Sequence, residues 1–244
     1  MEHTAIELLL GGVVIFVAYL VRGITGFGSG LIAIPLLALI YPLQTVVPLI
    51  VLLDLIGSGA QAISSRKHAD WRILLPLLPA TLVGIALALY FFQHIDTSTL
   101  SLSLGVFVMV FAVYQLLPTP DLEGSSIMAA PLGLLGGLMG FLFGTGGPFY
   151  VVYFDLLKLE KKSFRANYSF YFLLDGLFRM VVYILGLSLL KAEWIGLLLL
   201  ASVPFVAGLY TGGRVHHEIE PIVFKRLISL VLLASGTALI YTNE

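Results

Sequence analysis

The sequence predicts an all-α polytopic membrane protein, and both composition and patterning favour that class. Of the 244 residues, 59% are hydrophobic and 11% are charged, whereas soluble domains carry about 25% charged residues. Apolar runs recur from Ile6 to Tyr241 with short polar gaps between them. These runs lack the alternation of barrel strands, and backbone groups in lipid must be satisfied within their own segment, so helices are expected. The chain 1–244 is therefore predicted to form a single membrane domain.

Ten apolar segments follow one another, five in each half of the chain. The first is interpreted as a helix rather than a cleaved signal peptide, because no basic residue precedes it. Residues Ile127 to Leu157 would extend about 46 Å as one helix, against a hydrocarbon core of about 30 Å, so this stretch must break. We expect eight to ten transmembrane helices, and the sequence leaves open whether two short segments cross fully. The predicted segments are 6–21, 27–41 (short), 43–63, 72–92 and 100–117, then 127–143, 146–157 (short), 168–190, 194–213 and 223–242.

An internal repeat relates the two halves, with a first repeat at 1–117 and a second at 127–244. The glycine motif of Gly23–Gly30 recurs at Gly137–Pro148, each time between two apolar runs. Further landmarks recur in the same order, which indicates a duplication rather than chance. They are Asp54 and Asp175, Ala69-Asp70-Trp71 and Ala192-Glu193-Trp194, and His94 and His217.

The basic residues predict the orientation through the positive-inside rule. With five segments per half and both termini outside, Lys191 is the basic residue assigned to the outer face, and Arg179 lies within a segment. The inner face receives all the others. Because five is odd, the second half enters the membrane upside down, and such inverted repeats are the architecture of secondary transporters. The expected location is the inner, cytoplasmic membrane.

Three ionised side chains lie deep within the predicted segments: Asp54, Asp175 and Arg179. Such a residue costs about 2.5–3.5 kcal/mol at a helix centre, so each is expected to face a cavity or a partner. Asp175 and Arg179 are spaced i,i+4 and could form a purely structural salt bridge. The alternative is a role in binding substrate or handling protons, which is favoured because Asp54 occupies the equivalent place without a basic neighbour.

The two glycine motifs predict helix breaks inside the membrane. A helix that starts anew at Gly28 or Gly146 presents backbone N–H groups and a positive dipole end, which suits an oxyanion. Close helix packing is the alternative explanation of these glycines. Polar residues near the breaks or in the segments of Asp54 and Asp175 complete the substrate-binding candidates, although tyrosines near helix ends are also common interface anchors. These candidates are Thr25, Ser29, Gly144, Thr145, Asn167, Tyr168 and Gln61.

Other functional classes have less support in the sequence. The absence of cysteine excludes thiolate metal sites and cysteine nucleophiles. All five histidines fall at segment ends or in loops, so no buried serine–histidine dyad is predicted, and no Walker motif indicates use of ATP. We expect no enzyme activity, metal or cofactor. The expected partners are a small anion and the lipid bilayer, with no nucleic acid, and a homodimer is an allowed assembly.

The paired glycine motifs, the tryptophans Trp71 and Trp194 after acidic residues, and the basic turn around His216 and His217 resemble the TauE/SafE family. The likeness spans nearly the whole chain. Members of that family are implicated in export of sulfite, sulfoacetate and related organosulfur anions, so the resemblance implies an anion exporter of a bacterial or archaeal cytoplasmic membrane. The first motif departs from the family pattern, which usually has more consecutive glycines.

The sequence thus predicts a secondary transporter that exports sulfite or an organosulfonate by alternating access. Its midplane site is expected to combine Arg179 with the glycine-flanked helix ends. The alternatives are an anion channel, which the same repeat could build, and a membrane enzyme or scaffold without transport activity.

Overall fold

The computed structural model describes residues 5–65, 67, 69–117, 126–187, 193–214 and 221–243, which are helical and contain no strand. A 3₁₀ turn at Ser126–Met128 precedes the seventh helix. The α-helices are α1 (Ala5–Thr25), α2 (Ser29–Leu37), α3 (Leu43–Ser65), α4 (Trp71–Leu74), α5 (Leu77–His94), α6 (Thr97–Leu116), α7 (Ala129–Phe143), α8 (Gly147–Leu156), α9 (Lys161–Leu187), α10 (Glu193–Arg214) and α11 (Pro221–Asn243).

Five of the described helices are long and apolar enough to cross a membrane: α1, α5, α6, α9 and α10. Shorter apolar helices lie within α3, α7 and α11. A hydrocarbon core of about 30 Å requires roughly 20 apolar residues in a helix that spans it directly. These lengths support the predicted multi-pass class of membrane protein.

The chain divides into two compact units, and each draws helices from both halves of the sequence. The first unit comprises Met1–Leu49, Ile95–Thr119 and Lys191–Glu244, and the second comprises Ile50–His94 and Pro120–Leu190. In the first unit α1 packs against α10, and α6 packs against α11. In the second unit α5 packs against α7, and α8 contacts both α7 and α9.

Glycines bring the paired helices into backbone contact within each unit. A Cβ atom on Gly84 of α5 would lie 2.8 Å from the amide nitrogen of Leu138 on α7. A Cβ atom on Gly208 of α10 would likewise lie 3.0 Å from the amide nitrogen of Leu20 on α1. Small residues at such crossings are how helices in lipid gain close packing without a hydrophobic driving force.

The helices break at both glycine motifs, as predicted. Gly26 and Gly28, between α1 and α2, have φ angles of 89° and 92°. Gly144 caps the end of α7 with φ of 61°, and its N–H donates to the carbonyl of Gly140. Glycine adopts these left-handed angles without the steric cost that other residues meet. The chain can therefore leave the helical path within two or three residues and start a new helix.

Two predicted segments differ from the observed helices. The segment 72–92 is interrupted between α4 and α5, where Pro76 supplies no backbone N–H for a continuous helix. The segment predicted at 168–190 begins instead at Lys161, because charged residues with good helix propensity extend α9 beyond its apolar part. The candidates Asn167 and Tyr168 therefore lie inside a helix rather than at its start.

Candidate functional site

The second unit contains a buried ion pair on α9. Nη2 of Arg179 lies 2.6 Å from Oδ2 of Asp175, and the two side chains are 1% and 0% exposed. The spacing i,i+4 places both residues on one face of the helix. The contact is an ion pair without the alignment of a good hydrogen bond. Each charge depends on the other, because an isolated buried charge loses its hydration without compensation.

Arg179 also reaches the helix break between α7 and α8. Its Nη1 donates to the carbonyl of Gly140 over 2.7 Å. A Cβ atom on Gly140 would lie 3.4 Å from Cα of Gly146 and 3.5 Å from the guanidinium carbon. The ring of Phe172 lies beneath the guanidinium, 5.5 Å from its carbon, which is within the range of a cation–π contact. The arginine is therefore fixed between α9 and the broken helix.

The first turn of α8 lies at the same break. Gly146 is its N-cap residue and offers no side-chain cap, and Pro148 occupies the first turn, where a missing N–H removes no helical bond. The hydroxyl of Tyr168 would lie 2.7 Å from a Cβ atom on Gly147. The beginning of a helix thus meets a buried hydroxyl group, with backbone N–H groups and the positive dipole end directed at the break.

Further hydroxyls lie near the ion pair, and the sequence analysis did not single out those of Thr81 and Tyr183. The Thr81 hydroxyl is 2.6 Å from that of Tyr171 and donates to the carbonyl of Gly133. Tyr183 donates to the carbonyl of Phe141 over 2.5 Å. The signal available in the sequence was a tyrosine or threonine in the middle of an apolar run, rather than at its end.

Several buried polar atoms at this place have no hydrogen-bond partner in the part of the chain that the structure describes. They are Nε of Arg179, Oδ1 of Asp175 and the hydroxyl of Tyr150. Tyr150 lies close enough to act electrostatically on Asp175. Buried polar groups usually have partners, and groups that lack them often mark a functional site or an unseen water or ion. These atoms are therefore the candidates for contact with a small polar ligand.

The remaining candidates of the second unit have different surroundings. Asp54 is buried on α3, and its charge acts on Arg179. The backbone of Gln61 lies in α3, but its side chain is outside the described residues, as are His216 and His217. Thr145 is buried between α7 and α8, where its hydroxyl is 3.4 Å from the carbonyl of Met139.

Asn167 has a clear structural role in the second unit. Its side-chain oxygen accepts a hydrogen bond from the N–H of Asp70 over 2.8 Å, just before α4 begins. Its amide nitrogen donates to the carbonyl and hydroxyl of Ser163. These bonds satisfy the buried amide and tie the start of α4 to α9.

Three candidates belong to the first unit: Thr25, Gly28 and Ser29. Arg22, in the last turn of α1, adds a fourth buried ionised residue to the three predicted, since it is 4% exposed. Its Nη1 donates to the hydroxyl of Ser29 over 3.2 Å. The Thr25 hydroxyl lies 2.9 Å from the carbonyl of Val21 and 2.7 Å from that of Phe27, and its single hydrogen can bond either of them at the break.

Comparison with known proteins identifies the family. The family model described as Sulfite exporter TauE/SafE matches residues 11–239. A protein of Cupriavidus necator named "Probable sulfite/organosulfonate exporter TauE" is 24% identical over 225 residues, which cover 88% of this chain and 87% of the relative. No solved structure matches the chain. The chain therefore belongs to the TauE/SafE family of sulfite exporters.

Proposed function

We propose that this protein exports sulfite or an organosulfonate by alternating access, and that Arg179 binds the anion. The observation that carries the proposal is the buried guanidinium at the break between α7 and α8. Arg179 is 1% exposed, donates to Gly140, and keeps Nε without a hydrogen bond to any described residue. An arginine is always charged and presents several donors in a fixed plane, which suits an oxyanion.

The substrate class is supported by the name of the relative from Cupriavidus necator and by the chemistry of the site. Sulfite and sulfonate groups carry several oxygens that accept hydrogen bonds. A guanidinium and the N-terminal turn of a helix both donate such bonds and attract negative charge. Gly146, Gly147 and the hydroxyl of Tyr168 place further donors at the same break.

An inverted repeat of 1–117 and 127–244 is part of the proposal. The first helix of one half, α1, packs against the fourth of the other, α10, and α7 packs reciprocally against α5. The fifth helices, α6 and α11, pack against each other. The matching glycine contacts at Gly84 and Gly208 support the same relation. In alternating access, two equivalent halves exchange conformations, so that the site opens to one side of the membrane and then to the other.

Export is the favoured direction for an anion that crosses alone. An inside-negative potential of 100 mV contributes about 2.3 kcal/mol for each elementary charge that leaves. We also propose that the protein lies in the cytoplasmic membrane, where that potential drives efflux, with both termini outside as the distribution of basic residues predicts. Import of the anion would require co-transported cations, because the same electrical free energy opposes its entry.

The test is efflux from vesicles that contain the purified protein and are preloaded with sulfite, sulfoacetate, taurine or sulfate. An imposed inside-negative potential is expected to release sulfite or sulfoacetate from vesicles with the unchanged protein. Arg179→Gln should abolish that release, whereas Arg165→Gln, an exposed residue of the same helix, should not. Normal efflux by Arg179→Gln would refute the binding role of Arg179.

The alternatives give different results in the same vesicles. Countertransport that saturates with substrate would exclude a simple pore, whereas thousands of ions per opening would exclude alternating access. No movement of any sulfur oxyanion by the folded protein would favour the membrane enzyme or scaffold.

A further inference from the structure

The buried ion pair holds one positive and one negative charge at the place proposed for the substrate. Arg179 and Asp175 are in contact at 2.6 Å, and neither is exposed beyond 1%. A substrate anion bound by Arg179 would add a second negative charge to a site that has one guanidinium. Because an uncompensated buried charge is strongly disfavoured, either the anion or the carboxylate must be neutralised.

Asp175 is the group that can change its charge at this contact. Its Oδ1 makes no well-aligned hydrogen bond to the described chain, and the Tyr150 hydroxyl of α8 lies close enough to act on the carboxyl. The guanidinium is always protonated, and phenols ordinarily lose a proton only near pH 10, about three units above neutrality. The titratable groups that act on the pair from α3, α8 and α9 are Asp54, Tyr150, Tyr171 and Tyr183.

The described groups that reach this cluster from α5 and α7 are uncharged. From α5 the Thr81 hydroxyl bonds to Tyr171, and from α7 the Gly140 carbonyl accepts from Arg179. Asp54 acts on Arg179, but the carboxylate that touches the guanidinium is that of Asp175. Substrate and Asp175 therefore compete for the same positive group.

We propose that Asp175 and the substrate anion alternate as the counter-ion of Arg179, and that Asp175 takes up a proton whenever the anion is bound. This proposal rests on the proposed function, because it assigns a second role within the same site. In the empty site the charges of Arg179 and Asp175 cancel each other. When a monoanion is bound and Asp175 is protonated, the charges of Arg179 and the anion cancel instead. Both forms can then change their access to the two sides without exposing a bare charge to the membrane interior.

The stoichiometry follows from this charge balance. A monoanion crosses together with one proton and moves no net charge. A dianion such as sulfoacetate crosses with one proton and one net negative charge, so an inside-negative potential still drives it outward. Each anion that leaves a vesicle should therefore make its interior more alkaline by one proton.

Asp175→Asn distinguishes the step in which the anion-loaded site changes its access from the step in which the empty site does so. The variant keeps Arg179, so the anion-loaded form is neutral and should exchange labelled sulfite for unlabelled sulfite across the membrane. The empty form leaves Arg179 without its counter-ion, so net efflux into anion-free buffer should fall by about a hundredfold, the lower range for an uncompensated buried charge. Exchange should proceed without proton movement.

The experiment uses vesicles containing the full chain, with sulfite as the probe of exchange and net efflux. Internal pH is followed with sulfoacetate, because sulfite itself gains and loses a proton near neutral pH. Asp155→Asn provides a matched control, since Asp155 is exposed near the end of α8. Asp175→Glu keeps a carboxyl group and should retain coupled efflux. If the unchanged protein moves no sulfite in either assay, the proposed function fails. If it moves sulfite but Asp175→Asn loses exchange and efflux equally, the alternation of counter-ions is overturned. The same conclusion follows if Asp175→Asn retains efflux coupled to protons.

The folding of Asp175→Asn is tested by comparing its stability in anion-free buffer with its stability in sulfite. The variant should be less stable in anion-free buffer and should gain more from sulfite than the unchanged protein does, because the anion no longer displaces a carboxylate. Purification in sulfite should therefore yield folded protein. A variant that stays unfolded in sulfite, or that gains less from it, would contradict the proposal.

Discussion

Arg179→Gln is expected to destabilise the protein by about 3–5 kcal/mol, because it leaves the Asp175 carboxylate buried without its partner. The value rests on a 2.6 Å contact between side chains that are 1% and 0% exposed. Glutamine is too short to reach the Gly140 carbonyl, but that carbonyl still accepts from the N–H of Gly144, so the substitution chiefly removes the charge. In a chain of this size each kcal/mol shifts the melting temperature by about 2–4 °C, which predicts a fall of about 6–20 °C.

The double variant Arg179→Gln, Asp175→Asn distinguishes stability from function. It contains neither charge, so most of the lost stability should return, and the double-mutant cycle should yield a coupling energy of about 3 kcal/mol. Transport should not return, because the group that binds the anion is still missing. The assays are thermal unfolding in buffer without sulfur oxyanions and sulfite efflux from vesicles. A double variant that melts as low as either single variant would refute the electrostatic reasoning, and one that exports sulfite normally would refute the role of Arg179.

Three further predictions concern packing, hydrogen bonding and pH. Gly84→Ala should lower the melting temperature measurably, because the added Cβ would meet the α7 backbone, whereas Gly12→Ala, whose Cβ has no neighbour within 4 Å, should not. Thr81→Val should cost about 1–3 kcal/mol in thermal unfolding by leaving the buried hydroxyl of Tyr171 unpaired, and Thr81→Ser should restore most of it. Asp96 caps α6, and bonds from Thr99 lower its pKa. Its contribution is therefore present above the ordinary pKa of about 3.9 and is lost as the pH falls through the lower folded value, so the difference in melting temperature between the unchanged protein and Asp96→Ala should shrink in acid.

The helix breaks could be predicted from the sequence because a hydrophobic run longer than the bilayer must be interrupted, and glycine marks where. The spacing of Asp175 and Arg179 similarly restricted the pair to one helix face. Whether they touch depends on rotamers and on the neighbours that bury them, which spacing alone does not determine. The bond between Arg179 and Gly140 joins residues 39 positions apart, and no local pattern encodes it.

Arg22 shows why burial at a segment end was not predictable. Hydropathy places such a residue near the interface, where long basic side chains commonly extend toward water. Here the chain turns back at Gly26 and Gly28, which brings Ser29 within reach of the guanidinium. The hydroxyl network of Thr81 and Tyr171 spans 90 positions and forms only once α5 and α9 are assembled.

The contact between Gly136 and Tyr150 couples the residue types that these two positions can accept. A Cβ atom on Gly136 would lie 2.7 Å from Cζ of Tyr150, so the phenol ring fills the volume that any side chain at 136 would need. A relative that acquires alanine or a larger residue at 136 must therefore shorten residue 150 or shift α8. We expect the two positions to change together among homologues, and a lineage that loses this tyrosine should be the one in which the glycine is no longer retained.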